Sequence, residues 1–351
     1  MAVDKVDLLD LSYDELQDLV DAWGEPEFRA QQIWHWVYHM LTDDPRDMTT
    51  LPKELRQRLV EKAHIGRLEV VDTIVSEDGL TEKVVFRAVD DCLFETVLMR
   101  YTDRNTVCVS SQVGCIVGCL FCATGQVGLE RDLSMAEITA QVLYFARRLR
   151  KQGAHLTNVV FMGMGEPMFN FGAVWKAILN LHHPEGLFLG ARRFTVSTAG
   201  VVPGIECMAQ KALPVGLAIS LHAPDDALRD RLVPLNRRYP LGRLLQACRR
   251  YIKCVGRRVT FEYVLAAGLN DSDTRALQTA ELLRGFLCHV NLIPLNPTPG
   301  CDYEAPSPER VLRFQEILVD GGIQTTVRLG RGIDIQAGCG QLRGKYQRMK
   351  G

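Results

Sequence analysis

The sequence has few of the features that mark a secreted, membrane or disordered protein. No stretch of its 351 residues approaches the roughly 18 consecutive apolar residues that a membrane span requires. The first ten residues are acidic and lack the basic and apolar regions of a signal peptide. With 47% hydrophobic and 24% charged residues, and without low-complexity segments or an evident repeat, the composition is ordinary for a globular chain. We therefore expect a cytoplasmic protein with no membrane partner.

The sequence also lacks a paired set of cysteines. Its 11 Cys are an odd number, and nothing marks the chain as secreted, so a disulfide framework is not expected. A structural zinc site would require four ligands, usually as two separated Cys or His pairs, and there is no second C-x2-C pair. Six cysteines are scattered singly and are typical of buried packing residues: Cys92, Cys207, Cys248, Cys254, Cys288 and Cys301.

Three other cysteines lie close together and are the most informative feature of the chain. Cys115, Cys119 and Cys122 have the spacing C-x3-C-x2-C, with Phe121 just before the last of them. Three thiolates on one short loop can hold three irons of a [4Fe–4S] cluster, for which complete protein ligation takes four. The fourth iron is then open to a substrate or cofactor, which favours a cluster that does chemistry. A zinc site and simple packing are the alternatives at this stage.

The net charge of −1 conceals an uneven distribution. Residues 1–100 contain 11 Lys+Arg and 22 Asp+Glu, whereas the remaining residues contain 30 and 20. A polyanion such as RNA would therefore be attracted to the second part of the chain, and salt would weaken that attraction. Most basic clusters are solvated helix faces, so the charge alone supports RNA binding only weakly.

The sequence patterns divide the chain into three segments. Residues 1–62 are predicted to form a small helical domain, whose first helix begins at the capping box Ser12-Tyr13-Asp14-Glu15 and ends near Gly24. Residues 63–104 alternate between apolar and polar side chains, which predicts antiparallel strands joined by tight turns. Residues 105–351 have the rhythm of strand, loop and helix that is typical of an α/β core.

Six βα repeats in the third segment predict a parallel sheet that curls into a partial (β/α)6 barrel, because crossovers between parallel strands are right-handed. Active sites of such barrels lie at the carboxyl ends of the strands. The residues after each strand are therefore candidate site residues. The predicted strands are Thr106–Ser110, Asn158–Met162, Phe194–Thr198, Gly216–Ser220, Val259–Tyr263 and His289–Pro294.

Several polar or flexible motifs follow these strands. Gly163-Met164-Gly165-Glu166 follows the second strand, where glycine permits close approach of the backbone to a ligand. Any one such motif is more often a turn than a site. Their repeated occurrence at one end of the sheet favours a site. Cys339 lies between glycines in a polar segment, which is a poor packing environment, so its thiol is a candidate nucleophile.

These motifs together resemble a known family. The C-x3-C-x2-C loop is similar to the signature of radical S-adenosylmethionine (SAM) enzymes, in which the open iron binds SAM. Nearly end to end, the chain resembles the RlmN/Cfr family of RNA methyltransferases. The motifs that carry this resemblance are Glu-Pro-Glu-Phe-Arg-Ala-Gln-Gln-Ile, Cys-Val-Ser-Ser-Gln-Val-Gly-Cys, Phe-Met-Gly-Met-Gly-Glu-Pro, Ile-Ser-Leu-His-Ala-Pro and Cys-Gly-Gln-Leu.

The resemblance implies a covalent mechanism with two SAM molecules per turnover. Cys339 would take a methyl group from one SAM, and a 5′-deoxyadenosyl radical made from the other would remove a hydrogen atom from that methyl group. The resulting carbon radical would add to adenine, and Cys108 would release the product by forming a disulfide with Cys339. Glu95 matches the family's proton acceptor, although its sequence context alone favours an exposed strand carboxylate. The residues that match SAM contacts are Gly165, Glu166, Ser197, Ser220, Leu221, His222 and Asn296.

The resemblance also implies a substrate and partners. Gly-Glu-Pro at residues 165–167 is similar to RlmN-type enzymes, which methylate C2 of adenine in 23S rRNA and in tRNA, beside the anticodon. A Cfr-type enzyme acting on C8 is the nearest alternative, and a non-catalytic RNA-binding protein with a structural metal is the alternative of a different class. An electron donor of the flavodoxin or ferredoxin type and a monomeric state are further expectations.

Overall fold

The computed structural model describes residues 5–298, 300–328 and 330–343. Its N-terminal part is mostly helical, as the sequence predicts. A two-residue strand β1 (Val6–Asp7) pairs in parallel with β2 (Ala63–His64). Three α-helices lie between them, with shorter 3-10 and π-helical turns: α1 (Tyr13–Ala22), α2 (Phe28–Trp34) and α3 (Lys53–Lys62). The predicted capping box is present, because the Ser12 hydroxyl accepts the Glu15 N–H and the Glu15 carboxylate accepts the Ser12 N–H.

The next segment forms an antiparallel set of strands. These are β3 (Glu69–Val75), β4 (Thr81–Arg87), β5 (Leu93–Arg100) and β6 (Asn105–Cys108), each paired with the next. Strands β4 and β5 are buried along nearly their whole length, on both faces. Their alternating polar residues are therefore interior groups that require partners within the protein.

From β6 onward the sheet is parallel, with helices between the strands. Around the three-cysteine loop, β7 (Gln112–Gly114) pairs with β8 (Leu129–Asp132), and the short helix α4 (Ala123–Val127) lies between them. The elements that follow are α5 (Met135–Lys151), β9 (Asn158–Phe161), α6 (Phe171–His182), β10 (Phe194–Thr198), α7 (Val202–Gln210), β11 (Gly216–Ser220), α8 (Asp226–Leu232), α9 (Leu241–Val255), β12 (Val259–Leu265), α10 (Asp273–Leu282), β13 (Cys288–Pro294), α11 (Pro308–Asp320) and β14 (Thr325–Val327).

The main sheet has ten strands in the order β14-β13-β12-β11-β10-β9-β6-β5-β4-β3, of which β6 and β9 to β14 are parallel neighbours. The predicted fold class, a partial α/β barrel with an antiparallel extension and a helical N-terminal part, is confirmed. The sequence prediction missed β14, a three-residue strand too short to show a period.

The helical N-terminal part packs directly on the barrel. Leu9, Ile33 and Trp34 belong to the same buried apolar cluster as the barrel residues. The Asp10 carboxylate accepts the Ala136 N–H at the start of α5, at 2.8 Å. Packing against the barrel is therefore one role of this acidic segment. Among the described residues, no helix is long and apolar enough to cross a membrane.

Candidate active site

The three-cysteine loop is fixed at both of its ends by backbone contacts. At Gly114, which has a φ of +78°, a Cβ atom would lie 1.9 Å from the carbonyl oxygen of Gly128, so only glycine allows this close approach. The Cys115 N–H donates to that same oxygen at 2.9 Å, and the Leu120 N–H donates to the Leu232 carbonyl at 3.0 Å. The loop is thus held between the β7–β8 hairpin and the end of α8.

The three thiols face one cavity and interact electrostatically with one another. Burial raises the pKa of Cys115 to about 12, and it also raises the pKa values of Cys119 and Cys122. Without a cation these thiols are neutral, whereas iron would stabilise the thiolates.

The donor set fits an iron–sulfur cluster better than a single ion. Within the described ranges, no three His, Cys, Asp or Glu side chains are arranged to hold one metal ion. In a [4Fe–4S] cluster each cysteine binds a different iron, so the three sulfurs need not converge on one point. Cys115, Cys119 and Cys122 would hold three of the irons.

The cavity beside these cysteines, which we call the cluster-side cavity, opens to solvent and encloses about 910 Å³ when the solvent at its mouth is included. The carboxyl ends of parallel strands surround it, as the barrel rule predicts. Leu221 does not line this cavity, since its side chain is fully buried in the apolar core. The other residues predicted to contact SAM all line it: Gly165, Glu166, Ser197, Ser220, His222 and Asn296.

Glu166 is a buried carboxylate that backbone groups hold in place. Its Oε1 accepts the Met168 N–H at 3.0 Å, and its Oε2 accepts the Ala199 N–H at 2.7 Å. Burial raises its pKa to about 7, against the opposing effect of these hydrogen bonds. Glu166 therefore ties the loop after β9 to the loop after β10, in addition to lining the cavity.

His222 has a constrained backbone and a fixed tautomer. Its φ of +59° lies in the left-handed region, which is uncommon for a residue with a side chain. Its Nδ1 accepts the Val264 N–H at 3.0 Å, so the ring hydrogen is on Nε2. Burial, together with the nearby charge of Arg229, lowers the pKa of His222 to about 3, and the ring is therefore neutral at pH 7.

Arg229, which the sequence analysis did not identify, organises two strand ends. Its buried guanidinium donates to the carbonyl oxygens of Ala199, Ser220 and Leu221 at distances of 2.7, 2.8 and 3.0 Å. Burial lowers its pKa to about 10, and it remains a cation at pH 7. The Leu221 backbone carbonyl is thus one of the groups that hold Arg229 in place.

A second cavity, of about 750 Å³ with the solvent at its mouth included, adjoins the first and shares eight lining residues with it, among them Cys122, Asn296, Arg328 and Cys339. We call it the Cys108-side cavity, because Cys108, Val97 and Met99 line it. Burial raises the pKa of Cys108 to about 12, and the nearby Cys339 raises it further. Cys339 lines both cavities, and it interacts electrostatically both with the cluster cysteine Cys122 and with Cys108. Both thiols are unpaired in this structure.

Hydrogen bonds to the barrel fix residues 336–343, which we call the Cys339 segment. The Asn296 side-chain amide donates to the Cys339 carbonyl at 3.0 Å, and the Ala123 N–H at the start of α4 donates to the Gly340 carbonyl at 2.8 Å. The Gln341 side chain accepts the Gly338 N–H and donates to the Pro297 carbonyl, at 3.0 and 2.9 Å. Asn296 therefore both lines the cavities and positions Cys339.

Glu95 is buried, with an exposed fraction of only 1%, and so is not an exposed strand carboxylate. Its Oε1 lies 3.5 Å from Lys83 Nζ, and its Oε2 accepts the Arg343 N–H at 2.9 Å. It lies outside the linings of both cavities, beneath the end of the Cys339 segment.

Two further charged residues were missed by the sequence analysis. Arg328 follows β14 directly and lines both cavities, and the charge of Cys339 is the main cause that raises its pKa. Glu262 on β12 lines the cluster-side cavity and accepts the Asn291 side-chain amide at 3.0 Å. Applying the strand-end rule to Thr325–Val327 would have identified Arg328.

Comparison with known proteins agrees with this geometry. Residues 6–65 match the ribosomal RNA large subunit methyltransferase N-terminal domain, and residues 109–280 match the radical SAM superfamily. The crystal structure of a radical SAM methyltransferase from Sphaerobacter thermophilus is similar, with a TM-score of 0.95 and 55% identity, over 97% of this chain and 100% of that one. The fold and the site thus define a radical SAM methyltransferase, which uses a [4Fe–4S] cluster and SAM.

Curated relatives place the chain more narrowly. A probable dual-specificity RNA methyltransferase RlmN from Chloroflexus aurantiacus is 49% identical, over 97% of this chain and 93% of the relative. One of the same name from Dictyoglomus thermophilum is 44% identical, over 98% of each. The chain belongs to the RlmN family. This confirms the resemblance seen in the motifs, and membership in an enzyme family decides against the non-catalytic alternative.

Proposed function

We propose that this enzyme methylates C2 of adenine in 23S rRNA and in tRNA, through a methyl group carried on Cys339. The observation that supports this most directly is that Cys339 lines both cavities. One side gives the thiol access to the cluster cysteines and the predicted SAM contacts. The other side gives it access to Cys108. A single group that receives a methyl on one side and delivers it on the other needs this placement.

The cluster-side cavity is proposed to hold the cofactors. Cys115, Cys119 and Cys122 would hold the cluster, which when bound supplies the electron that cleaves SAM into methionine and a 5′-deoxyadenosyl radical. The neutral His222 ring would present a hydrogen-bond donor through Nε2. Ser197, Ser220 and the glycines after β9 supply small polar or open surface for SAM.

Cys339 carries the methyl group in this proposal. Its thiolate attacks the methyl carbon of SAM, which forms a new S–C bond and releases S-adenosylhomocysteine. After the S-methyl group loses one hydrogen atom, its carbon radical forms a bond to C2 of adenine. C2 is electron-poor and has no nucleophilic lone pair, so a radical reaches it where a polar transfer would fail.

Cys108 and Glu95 are proposed to complete the reaction. Glu95 accepts the C2 proton, and the adduct radical gives up one electron, for which the cluster would be the acceptor. The Cys108 thiolate then attacks the Cys339 sulfur, which forms the disulfide and breaks the bond between that sulfur and the transferred carbon, and this carbon takes up a proton to become the methyl group. Both sulfurs are oxidised to the disulfide as the product leaves. Cys108 lines the same cavity as Cys339, as this attack requires. Movement of the Arg343 end of the Cys339 segment would give Glu95 access to the cavity.

The RNA partner follows from the family. The relatives' name, dual-specificity RNA methyltransferase, supports two RNA substrates, for which we propose 23S rRNA and tRNA. A flavodoxin or ferredoxin would supply the electron, and the enzyme would act as a monomer.

Nucleoside analysis of treated RNA tests this proposal. Enzyme reconstituted anaerobically with iron and sulfide is incubated with SAM, a reductant and unmodified 23S rRNA or tRNA. Mass spectrometry of the digested RNA should then show 2-methyladenosine. Formation of 8-methyladenosine instead would identify a Cfr-type enzyme, and failure to form 5′-deoxyadenosine would contradict the radical mechanism.

A further inference from the structure

Lys83 is a buried cation that the sequence analysis did not identify. It lies on β4, its side chain is 2% exposed, and its Nζ is 3.5 Å from Glu95 Oε1. Nζ also donates to the carbonyl oxygen of Gln336, at 3.1 Å. Lysine is almost never fully buried unless it has partners. Here one partner is a carboxylate and the other is the backbone of the Cys339 segment.

Glu95 contacts the other end of that same segment. Its second carboxylate oxygen, Oε2, accepts the Arg343 N–H at 2.9 Å. The Lys83–Glu95 ion pair therefore binds residue 336 through the cation and residue 343 through the anion. Cys339 lies midway between these two points, so the pair spans both ends of the short segment that carries the thiol.

The contacts on the barrel side hold residues 339–342 of the segment, and the Thr124 hydroxyl donates to the Leu342 carbonyl near its C-terminal end. Asn296 binds the Cys339 carbonyl, and Ala123 binds the Gly340 carbonyl. The antiparallel strands thus hold residues 336 and 343, and the barrel contacts hold residues 339–342, so the N-terminal end of the segment depends on Lys83 more than the C-terminal end depends on Glu95. With contacts from both the antiparallel strands and the barrel, the Cys339 thiol has a fixed position in the lining that the two cavities share.

Stabilisation of the fold alone is a poor explanation for a buried ion pair at this place. Taking two charges out of water costs about as much as their attraction returns, so a buried pair is weak support for a stability role. A charged donor and a charged acceptor do, however, form the stronger class of hydrogen bonds. The pair makes one hydrogen bond to each end of the segment that carries the reactive thiol. This arrangement indicates that the pair positions the segment.

We propose that Lys83 is a positioning residue, which acts with Glu95 as a two-ended clamp that holds Cys339 between the two cavities. This rests on the proposed function in one respect, namely that Cys339 is the methyl carrier. Loss of Lys83 leaves the Gln336 carbonyl without its donor and frees the N-terminal end of the segment. Cys339 then samples positions away from the SAM side, and its methylation slows.

The test measures methylation of Cys339 before any RNA is added. Reconstituted wild type and Lys83→Met are incubated with SAM without reductant, and S-methylation of Cys339 is followed by mass spectrometry of its peptide. We expect the rate to fall at least about tenfold in Lys83→Met, because bonds from charged donors commonly contribute that much to an equilibrium. Alkylation of unmethylated Cys339 by iodoacetamide, read on the same peptide, should become faster.

Arg148→Met is the matched control. Arg148 forms an ion pair with Glu82 at 2.7 Å, and Glu82 is a buried carboxylate on β4 next to Lys83. This substitution removes a half-exposed cation of α5 from a buried carboxylate that neighbours Lys83 on β4, without touching the Cys339 segment. It should lower stability while leaving S-methylation and alkylation of Cys339 at wild-type rates.

The double variant Lys83→Met/Glu95→Gln addresses the case in which Lys83→Met fails to fold. It removes both buried charges, so stability should recover, while fast alkylation of Cys339 should persist. Wild-type S-methylation and alkylation rates in the folded Lys83 variants would overturn the proposal. If the wild-type protein itself acquires no methyl group on Cys339, the proposed function fails instead, and the alkylation rates still test the clamp.

Discussion

The two cavities that flank Cys339 are built in different ways. The cluster-side cavity is surrounded by the carboxyl ends of parallel strands and the loop that holds Cys115, Cys119 and Cys122. The Cys108-side cavity combines strand residues of β5 and β6 with the distant segment around Cys339. The first has the construction common to radical SAM barrels. The second also contains barrel residues, among them Cys122 and Asn296, to which strands β5 and β6 add Val97, Met99 and Cys108. In the proposed reaction, these two strands thus supply the resolving thiol.

The largest effect is expected from a substitution that disrupts the cluster-side cavity alone. Cys119→Ala removes one of three cluster ligands, so iron and sulfide content after reconstitution should fall severalfold, and 5′-deoxyadenosine and RNA methylation should fall to background. The measurements are iron and sulfide assays and chromatography of the SAM products. Cys207→Ala, at an exposed cysteine on α7, is the control and should behave as wild type. Full cluster content in Cys119→Ala would contradict the assignment.

Removing the thiol shared by the two cavities comes next. Cys339→Ala should retain the cluster and reductive cleavage of SAM but should show no methylated protein and no methylated RNA, because the methyl carrier is absent. Protein mass spectrometry and nucleoside analysis measure both. Any 2-methyladenosine above background would show that methyl transfer does not require Cys339.

Removing the Cys108 thiol should stop the reaction at a later step, the release of the RNA. Cys108→Ala should allow S-methylation of Cys339 and attack on adenine but not release, so one covalent RNA–protein adduct per enzyme should accumulate. Denaturing gel electrophoresis with labelled RNA would detect this adduct. Recovery of only free, unmodified RNA would count against Cys108 as the resolving thiol.

The smallest expected effect concerns stability on the cluster side. Burial raises the Glu166 pKa from 4.5 to about 7, so the folded protein binds this proton more tightly than the unfolded chain does. Between these two pH values, stability of the cluster-free protein should fall as pH rises. Relative to Glu166→Gln, the wild type should lose about 2–3 kcal/mol over this range. Urea unfolding at a series of pH values measures this free energy, with Glu54→Gln at an exposed position as the control. If the free energy of unfolding of the wild type and of Glu166→Gln changed with pH in parallel, the prediction would be contradicted.

Much of the cluster side could be predicted because its signals are local. The spacing of Cys115 and its two partners lies within eight residues, and β11 has the predicted bounds Gly216–Ser220. Ser134 caps α5 as its capping box predicts, since the motif closes within one helical turn. These features require no knowledge of distant contacts.

The rest depends on contacts between distant parts of the chain. Arg229 has no local signal, because its role is set by carbonyls on two other loops. Glu95 has an ordinary strand context, and its burial depends on Lys83 and on a segment about 250 residues further along. Arg328 was missed because β14 is too short to be recognised by alternation. A sequence pattern within one short stretch of residues cannot identify contact partners that lie far away in the chain.

The position of Cys339 in the wall of both cavities has a consequence for chemical selectivity. The nitrogen atoms of adenine are better nucleophiles than C2, and free contact with SAM would expose them to direct methylation. In the proposed reaction the RNA base receives its carbon from the sulfur of Cys339, which lines both cavities, and not directly from SAM. Cys339 would thereby protect the adenine nitrogens, because the one-carbon group reaches RNA only after it has been changed from an electrophilic methyl group into a carbon radical.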